Sequence, residues 1–234
     1  MAYKRILLKI SGESLGTGQG GFDAVRLSRF AKEIRTAYQA GAEIAIVPGG
    51  GNIYRGARTG GLQIDRVRGD YMGMLATIIN GLALLDELLR AGVPAVLFSA
   101  LKVDRLCTYP TRQKMLESLK EGKVLVLAGG TGNPYFTTDT TAALRAAELQ
   151  ADVLLKGTRV DGVYSADPEK DPGAVRYDQL TFDQALQQNL GIMDLTAFTL
   201  CKENNLPILV FDMHQEGNLA RIIQGEKCGS LIVP

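Results

Sequence analysis

Four short apolar runs in this sequence release into turns rich in glycine or carrying lysine. Ile6 to Ile10 includes Lys9 and ends at Ser11-Gly12. Ile44 to Val47 leads into Gly49-Gly50-Gly51-Asn52, with Arg55 close behind. Val124 to Ala128 leads into Gly129-Gly130-Thr131-Gly132-Asn133, and Val153 to Leu155 into Lys156-Gly157-Thr158. A glycine turn lets backbone N–H groups approach a phosphate with no Cβ in the way. Lys9 and Arg55 add positive charge of the kind that stabilises a transferring phosphoryl group, whose peripheral oxygens carry negative charge. Taken singly, a glycine run after a strand is a tight turn, and a lysine at a strand end is a solvated edge residue. Four such features at equivalent places point to a site that handles phosphates. This chemistry needs no Ser–His nucleophile, and none is apparent. His214, the only histidine, lies in the polar stretch from Met213 to Gly217 and reads as a surface loop residue.

Two familiar nucleotide motifs fail on context. Gly16, Gly18 and Gly21 fit G-x-G-x-x-G. They stand well past the first apolar run, whereas a dinucleotide fingerprint occupies the tight strand-to-helix turn. The Walker pattern is absent, because Gly122-Lys123 is followed by Val124.

The elements that position these turns follow from periodicity. Besides the four runs above, Ala95 to Ser99, Ile208 to Phe211 and Leu231 to Val233 read as strands. Most are apolar throughout, as strands covered on both faces are. Helical patterns fill Asp23 to Gln39, Asp70 to Ala91, Thr111 to Glu121, Thr140 to Leu149, Phe182 to Asn189, Leu195 to Asn204 and Leu219 to Gln224. Thr181 followed by Gln184 predicts a capping box. The alternation predicts an α/β fold: an open, mostly parallel sheet sandwiched between helices. Ligands of such sheets bind beyond the carboxyl ends of the strands, which puts the four turns on one edge. The helix from Asp70 is apolar around most of its girth, so it is either central or pressed against another chain. Leu15 to Phe22 reads as a flexible glycine-rich loop, and Ala166 to Gly173 as a surface loop or insertion.

Composition narrows the class. The 234 residues suit one large α/β domain. With 26 basic and 25 acidic side chains, nothing suggests a nucleic-acid footprint or a disordered acidic tail. Cys107, Cys201 and Cys228 are dispersed and unpaired in spacing, which fits small buried hydrophobes in a reducing compartment. No secretory h-region follows Tyr3-Lys4-Arg5, and no apolar stretch reads as long enough to span a bilayer. The expected location is the cytoplasm, with no membrane contact.

KISGES (Lys9 to Ser14), PGGGN (Pro48 to Asn52) and VDGVYSADP (Val160 to Pro168) together resemble the amino-acid kinase superfamily. GDYMGMLATIINGLAL (Gly69 to Leu84), GTGNPYFTTDT (Gly130 to Thr140) and GEKCGSLI (Gly225 to Ile232) are similar to its bacterial UMP kinase branch rather than to its amino-acid-phosphorylating members. The resemblance runs end to end. It implies one domain over 1–234, with the acceptor nucleotide on the side of roughly 1–150 and ATP on the side of roughly 151–234. It implies a catalytic set of Lys9, Arg55 and Asp139. Lys9 would stabilise the transferring group, Arg55 would neutralise charge where donor and acceptor phosphates meet, and Asp139 would orient Lys9 or organise metal-bound phosphates. Ile10, Ser11, Gly12 and Gly51 would close on the ATP phosphates, while Thr158, Tyr164 and Asp167 would hold the adenosine. Lys156 would be a second phosphate-site cation. Gly50 would face the UMP phosphate and Asp70 the ribose. The stretch Thr131, Gly132, Asn133, Pro134, Tyr135, Phe136, Thr137 and Thr138 would hold the uridine, with Asn133 and Thr138 reading the base. Mg²⁺ would accompany ATP, its ligands not being assigned. A homohexamer, GTP activation and UTP inhibition are implied by the resemblance alone.

Plainer roles stay open at three of these positions. Asp139 can cap the helix after Thr138, Asp70 can be a helix N-terminal carboxylate, and Tyr164 can be a packing aromatic. A kinase of the same fold acting on a carboxylate or carbamate, and a nucleotide-binding module without turnover, are the competing functions.

Overall fold

The computed structural model describes residues 2–17, 20–55, 63–168 and 170–234. Gly18, part of the Leu15 to Phe22 loop, and Glu169 of the Ala166 to Gly173 stretch lie outside them. The expected runs form β1 (Arg5–Ile10), β2 (Glu43–Pro48), β3 (Ala95–Ser99), β4 (Val124–Ala128) and β5 (Val153–Thr158). Three short strands follow that periodicity does not reveal: β6 (Val163–Tyr164), β7 (Arg176–Tyr177) and β8 (Gln179–Thr181). β9 (Ile208–Asp212) and β10 (Ser230–Val233) complete the set. One eight-stranded sheet runs in the order β3-β4-β2-β1-β5-β9-β10-β8, and β6 and β7 form a separate antiparallel ribbon. All pairings in the large sheet are parallel except β9 with β10.

The helices are α1 (Ala24–Gln39), α2 (Arg66–Arg90), α3 (Arg112–Lys120), α4 (Thr138–Leu149), α5 (Phe182–Gln187), α6 (Leu195–Glu203) and α7 (Asn218–Gln224). They cover both faces, as apolar strands require. Ile6, Leu8 and Ile10 of β1 pack in a core with Phe30 and Ile34 of α1, Ile78 and Leu84 of α2 and Ile222 of α7. Leu7 packs on the other face, with Met115 of α3, Ala143 and Ala146 of α4, Phe182 of α5 and Phe198 of α6. Lys9, two residues beyond Leu7, therefore belongs to the α4 face by the period-two rule. β1 has β2 on one side and β5 on the other, so the chain leaves the sheet centre in both directions. That is a topological switch point, where a crevice opens at the strands' carboxyl ends.

Side-chain caps set the helix starts. Asp23 accepts from Val25 N and Arg26 N, and Thr111 caps α3. The Thr181–Gln184 capping box forms on α5 as expected. α2 begins at Arg66, earlier than the expected Asp70, because Asp65 is its N-cap and accepts from Arg68 N. At 25 residues α2 is also long and apolar enough to cross a membrane by length and composition, which corrects the expectation that no stretch is. Here it lies on the sheet, with Ile78, Leu84 and Leu88 in the core. Cys201 and Cys228 are buried, whereas Cys107 is only half-buried.

Candidate active site

Lys9 and Lys156 are direct partners across β1 and β5. Paired residues on parallel neighbours project to the same face, so two ammonium groups converge beneath the start of α4. Asp139, in the first turn of that helix, lies between them. Its Oδ2 accepts a hydrogen bond from Lys156 Nζ at 2.7 Å. Its Oδ1 is 2.9 Å from Lys9 Nζ, an ion-pair contact without hydrogen-bond alignment. Lys156 Nζ also donates to the Ile192 carbonyl at 2.5 Å. The group is largely buried and carries one net positive charge, which suits a site for anions. Burial pushes the Asp139 carboxyl up, but the Lys9 and Lys156 charges outweigh it and hold the carboxyl below its ordinary range. Burial pushes the Lys156 ammonium down, against the pull of Asp139 and with the push of Lys9.

The capping role left open for Asp139 falls to Thr137, whose hydroxyl accepts from Asp139 N and Thr140 N. Asp194, the N-cap of α6, accepts from the hydroxyls of Thr137 and Thr140. Asp194 thus locks the starts of α4 and α6 together. The sequence reading missed it because its partners lie more than fifty residues away in the chain.

On one side of this group a cleft of about 640 Å³ is lined by Gly50, Gly51, Arg55, Asp70, Phe136, Thr137 and Thr138 among others. Gly50 touches α2 so closely that a Cβ would stand 2.8 Å from Gly73 O and 2.9 Å from Ala76 Cβ. Asp70 is in the second turn of α2, so the N-terminal carboxylate role passes to Asp65. Arg66 Nε lies 2.9 and 3.0 Å from its two oxygens, and Tyr135 N donates to Oδ2 at 2.7 Å. Burial raises the Asp70 carboxyl, yet Arg66 and the Tyr135 N–H outweigh burial and hold it low. A carboxylate has about four acceptor positions, so capacity for a ligand remains. Tyr135 holds a left-handed φ of 72°, a strained state for a non-glycine residue, and stacks under Arg66.

The rest of the expected uridine stretch is elsewhere. Thr131 and Asn133 line a different cavity, of about 650 Å³, with Thr140, Leu144 and Thr199. Gly132 and Pro134 line neither cavity.

On the other side, Ser11, Gly51 and Arg55 line a cavity of about 730 Å³ together with Arg26, Arg159 and His214. Arg55 donates to Glu13 there at 2.6 Å. His214 is half-buried at this cavity rather than on an open loop. Ile10 is fully buried and offers only backbone, its carbonyl accepting from Gly49 N at 2.8 Å. Gly12 stands where a Cβ would be 2.5 Å from Asn52 Oδ1 and 2.6 Å from Gly51 N, so only glycine lets the two turns meet. A further pocket of about 480 Å³ gathers Lys156, Thr158, Tyr164 and Asp167. Tyr164 donates to Asp161 at 2.7 Å and lines this pocket instead of the core.

Comparison with known proteins agrees with this architecture. The model of the amino acid kinase family matches residues 4–212. A uridylate kinase of Bacteroides thetaiotaomicron is 51% identical over 98% of this chain and 98% of its own length. One of Parabacteroides distasonis is 52% identical with the same coverage. The crystal structure of UMP kinase from Bacillus anthracis superposes with a TM-score of 0.96 at 35% identity, covering 99% of this chain and 96% of that one. With sheet order, glycine turns and likeness in agreement from end to end, the chain belongs to the amino acid kinase family, among its uridylate kinases.

Proposed function

We infer that this chain transfers the γ-phosphoryl group of ATP to UMP, giving UDP and ADP in pyrimidine nucleotide synthesis. The observation that carries the reading is the sharing of Gly51 and Arg55 by two cavities. One holds Asp70 and the 136–138 segment, the other Ser11 and the turn after β1. Two phosphate chains entering from opposite sides would meet at that turn, beside Lys9, Lys156 and Asp139. The acceptor nucleotide is assigned to the side of roughly 1–150 and ATP to the side of roughly 151–234, with adenosine at Thr158, Tyr164 and Asp167.

In the reaction an oxygen of the UMP phosphate attacks the γ-phosphorus, the bond to the β,γ-bridging oxygen breaks, and ADP leaves with that electron pair. No protein base is required, because a phosphate monoester with a second pKa of about 6 is largely dianionic at neutral pH. Lys9 and Arg55 offset the charge on the peripheral oxygens. Asp139 holds both ammonium groups in place, and Lys156 adds a second cation. Mg²⁺ bound to the ATP phosphates would supply further charge neutralisation. Asp139, whose Oδ1 faces the Lys9 ammonium at 2.9 Å, would orient that lysine toward the metal-bound phosphates. The cytoplasm, a homohexamer, GTP activation and UTP inhibition belong to the same proposal.

ADP formation from Mg-ATP with UMP, CMP or glutamate tests it. UMP-dependent turnover is expected, and Lys9→Ala should lower kcat about 10²- to 10³-fold with the fold intact. Turnover with glutamate but not UMP would overturn the acceptor assignment.

A further inference from the structure

Asn80 lies in the middle of α2 with none of its surface exposed. A side-chain amide in an apolar helix is costly to bury unless its donors and acceptor are paired. Here the partners belong to the site. Asn80 Nδ2 donates to Gly49 O at 2.6 Å and to Asn52 Oδ1 at 2.7 Å. Asn80 Oδ1 accepts from Asn52 Nδ2 at 3.1 Å. Asn52, itself buried, also donates from Nδ2 to Gly21 O at 3.1 Å. The reciprocal amide pair therefore ties α2 to the turn after β2 and to the loop before α1. Asn52 also occupies the space into which Gly12 and Gly16 would carry a Cβ, at 2.5 Å from its Oδ1 and 2.6 Å from its Cβ.

The Gly49 carbonyl is drawn toward Asn80, and no peptide in the described chain is cis. In a trans peptide the N–H points opposite to the carbonyl of the same plane. The Gly50 N–H is thereby turned away from Asn80. Among the described residues neither Gly50 N–H nor Gly51 N–H has a protein acceptor, and both residues line the cleft.

We propose that Asn80 is a positioning residue that directly orients the Gly49–Gly50 peptide toward a bound phosphate and, through Asn52, sets the spacing between the Gly12 and Gly50-Gly51 turns. The inference rests on the phosphoryl-transfer reading above. Asn80 touches no substrate and acts through the turn.

The test compares Asn80→Ala, Asn52→Ala and the double variant with Leu84→Ala, a truncation in the same helix's core. Thermal melting, KM for each nucleotide, kcat and ATP affinity by calorimetry are measured on each. Leu84→Ala should lower the melting temperature and leave both KM values near the parent's. Asn80→Ala and Asn52→Ala should each lower kcat/KM about ten- to hundredfold, the size expected when a buried hydrogen-bonded group loses its partner. The double variant should be no worse than Asn80→Ala, because the pair acts as a unit. Parent-like kcat and KM in a folded Asn80→Ala or Asn52→Ala would overturn the proposal. So would loss of fold in both, since the pair would then be holding the fold and not the turn. If the parent chain does not phosphorylate UMP, the proposed function fails separately. ATP affinity then still reads the inference: weakened in Asn80→Ala it stands, unchanged it falls.

Discussion

Asp139 holds two ammonium groups apart, and its replacement should be felt in stability as well as in turnover. Asp139→Asn leaves Lys9 and Lys156 facing one another without a counter-charge. Loss of one member of a buried ion network costs about 3 kcal/mol, measurable by urea unfolding at neutral pH. Because the folded Asp139 value is depressed below its ordinary 3.8, its stabilisation is complete above that pH and is lost as pH falls through the folded value. The gap between parent and variant should therefore close on acidification, and a constant gap would refute the charge argument. Lys156 has the same slope for a different reason: its folded value lies below 10.5, so the cost of burying its charge is relieved, and stability rises, as pH increases between those two values. Lys9, Lys156 and Arg55 are legible in the sequence as cations beside strand-end turns. The partner of the lysines is legible only through family resemblance, and Asp194 not at all. Asp194 matters because the starts of α4 and α6 meet, which is a tertiary fact with no local period.

Glycine turns pressed against a helix make the element scale sensitive to one methyl group. Gly50→Ala would place its Cβ against Gly73 O and Ala76 Cβ, both parts of α2 that cannot swing aside. The turn must then move off the helix. We expect the acceptor KM to rise and kcat to fall, with a stability loss of about 1–3 kcal/mol from overpacking. Steady-state kinetics and unfolding on the same variant check this, and unchanged KM with lowered stability would show that the turn is not part of the site. The long elements follow from hydrophobic period and caps. The strand from Val124 to Ala128 is legible to the residue because Gly122 and Gly129 bracket it, and that from Ala95 to Ser99 because Pro94 marks its start. β6, β7 and β8 span only two or three residues in polar sequence, too few to show alternation, and they form because β10 and the ribbon partners reach them. The early start of α2 was hidden by Gly69, a poor helix former one turn inside the helix.

The outward face of α2 bears on the molecule as a whole. Met72, Leu75, Ile79 and Leu89 are 40–52% exposed, a run of apolar surface that water disfavours. In the proposed oligomer this stripe meets another subunit. A solution mass of several times 25.2 kDa is expected, and Ile79→Glu should lower it toward one chain. A parent that sediments as a single chain at assay concentration would dismiss that role for the stripe. The sheet order has a wider consequence. Residues from α2 and 136–138 shape one cavity, residues from β5 and β6 shape another, and the two have no lining residue in common, β1 standing between β2 and β5 in the sheet. Inheritance can therefore rewrite one half of such a chain while the other half stays as it was. A lineage that acquires a new acceptor need not rediscover how to hold its donor, and a single scaffold can diversify into many reactions by changing one bank of its central strand.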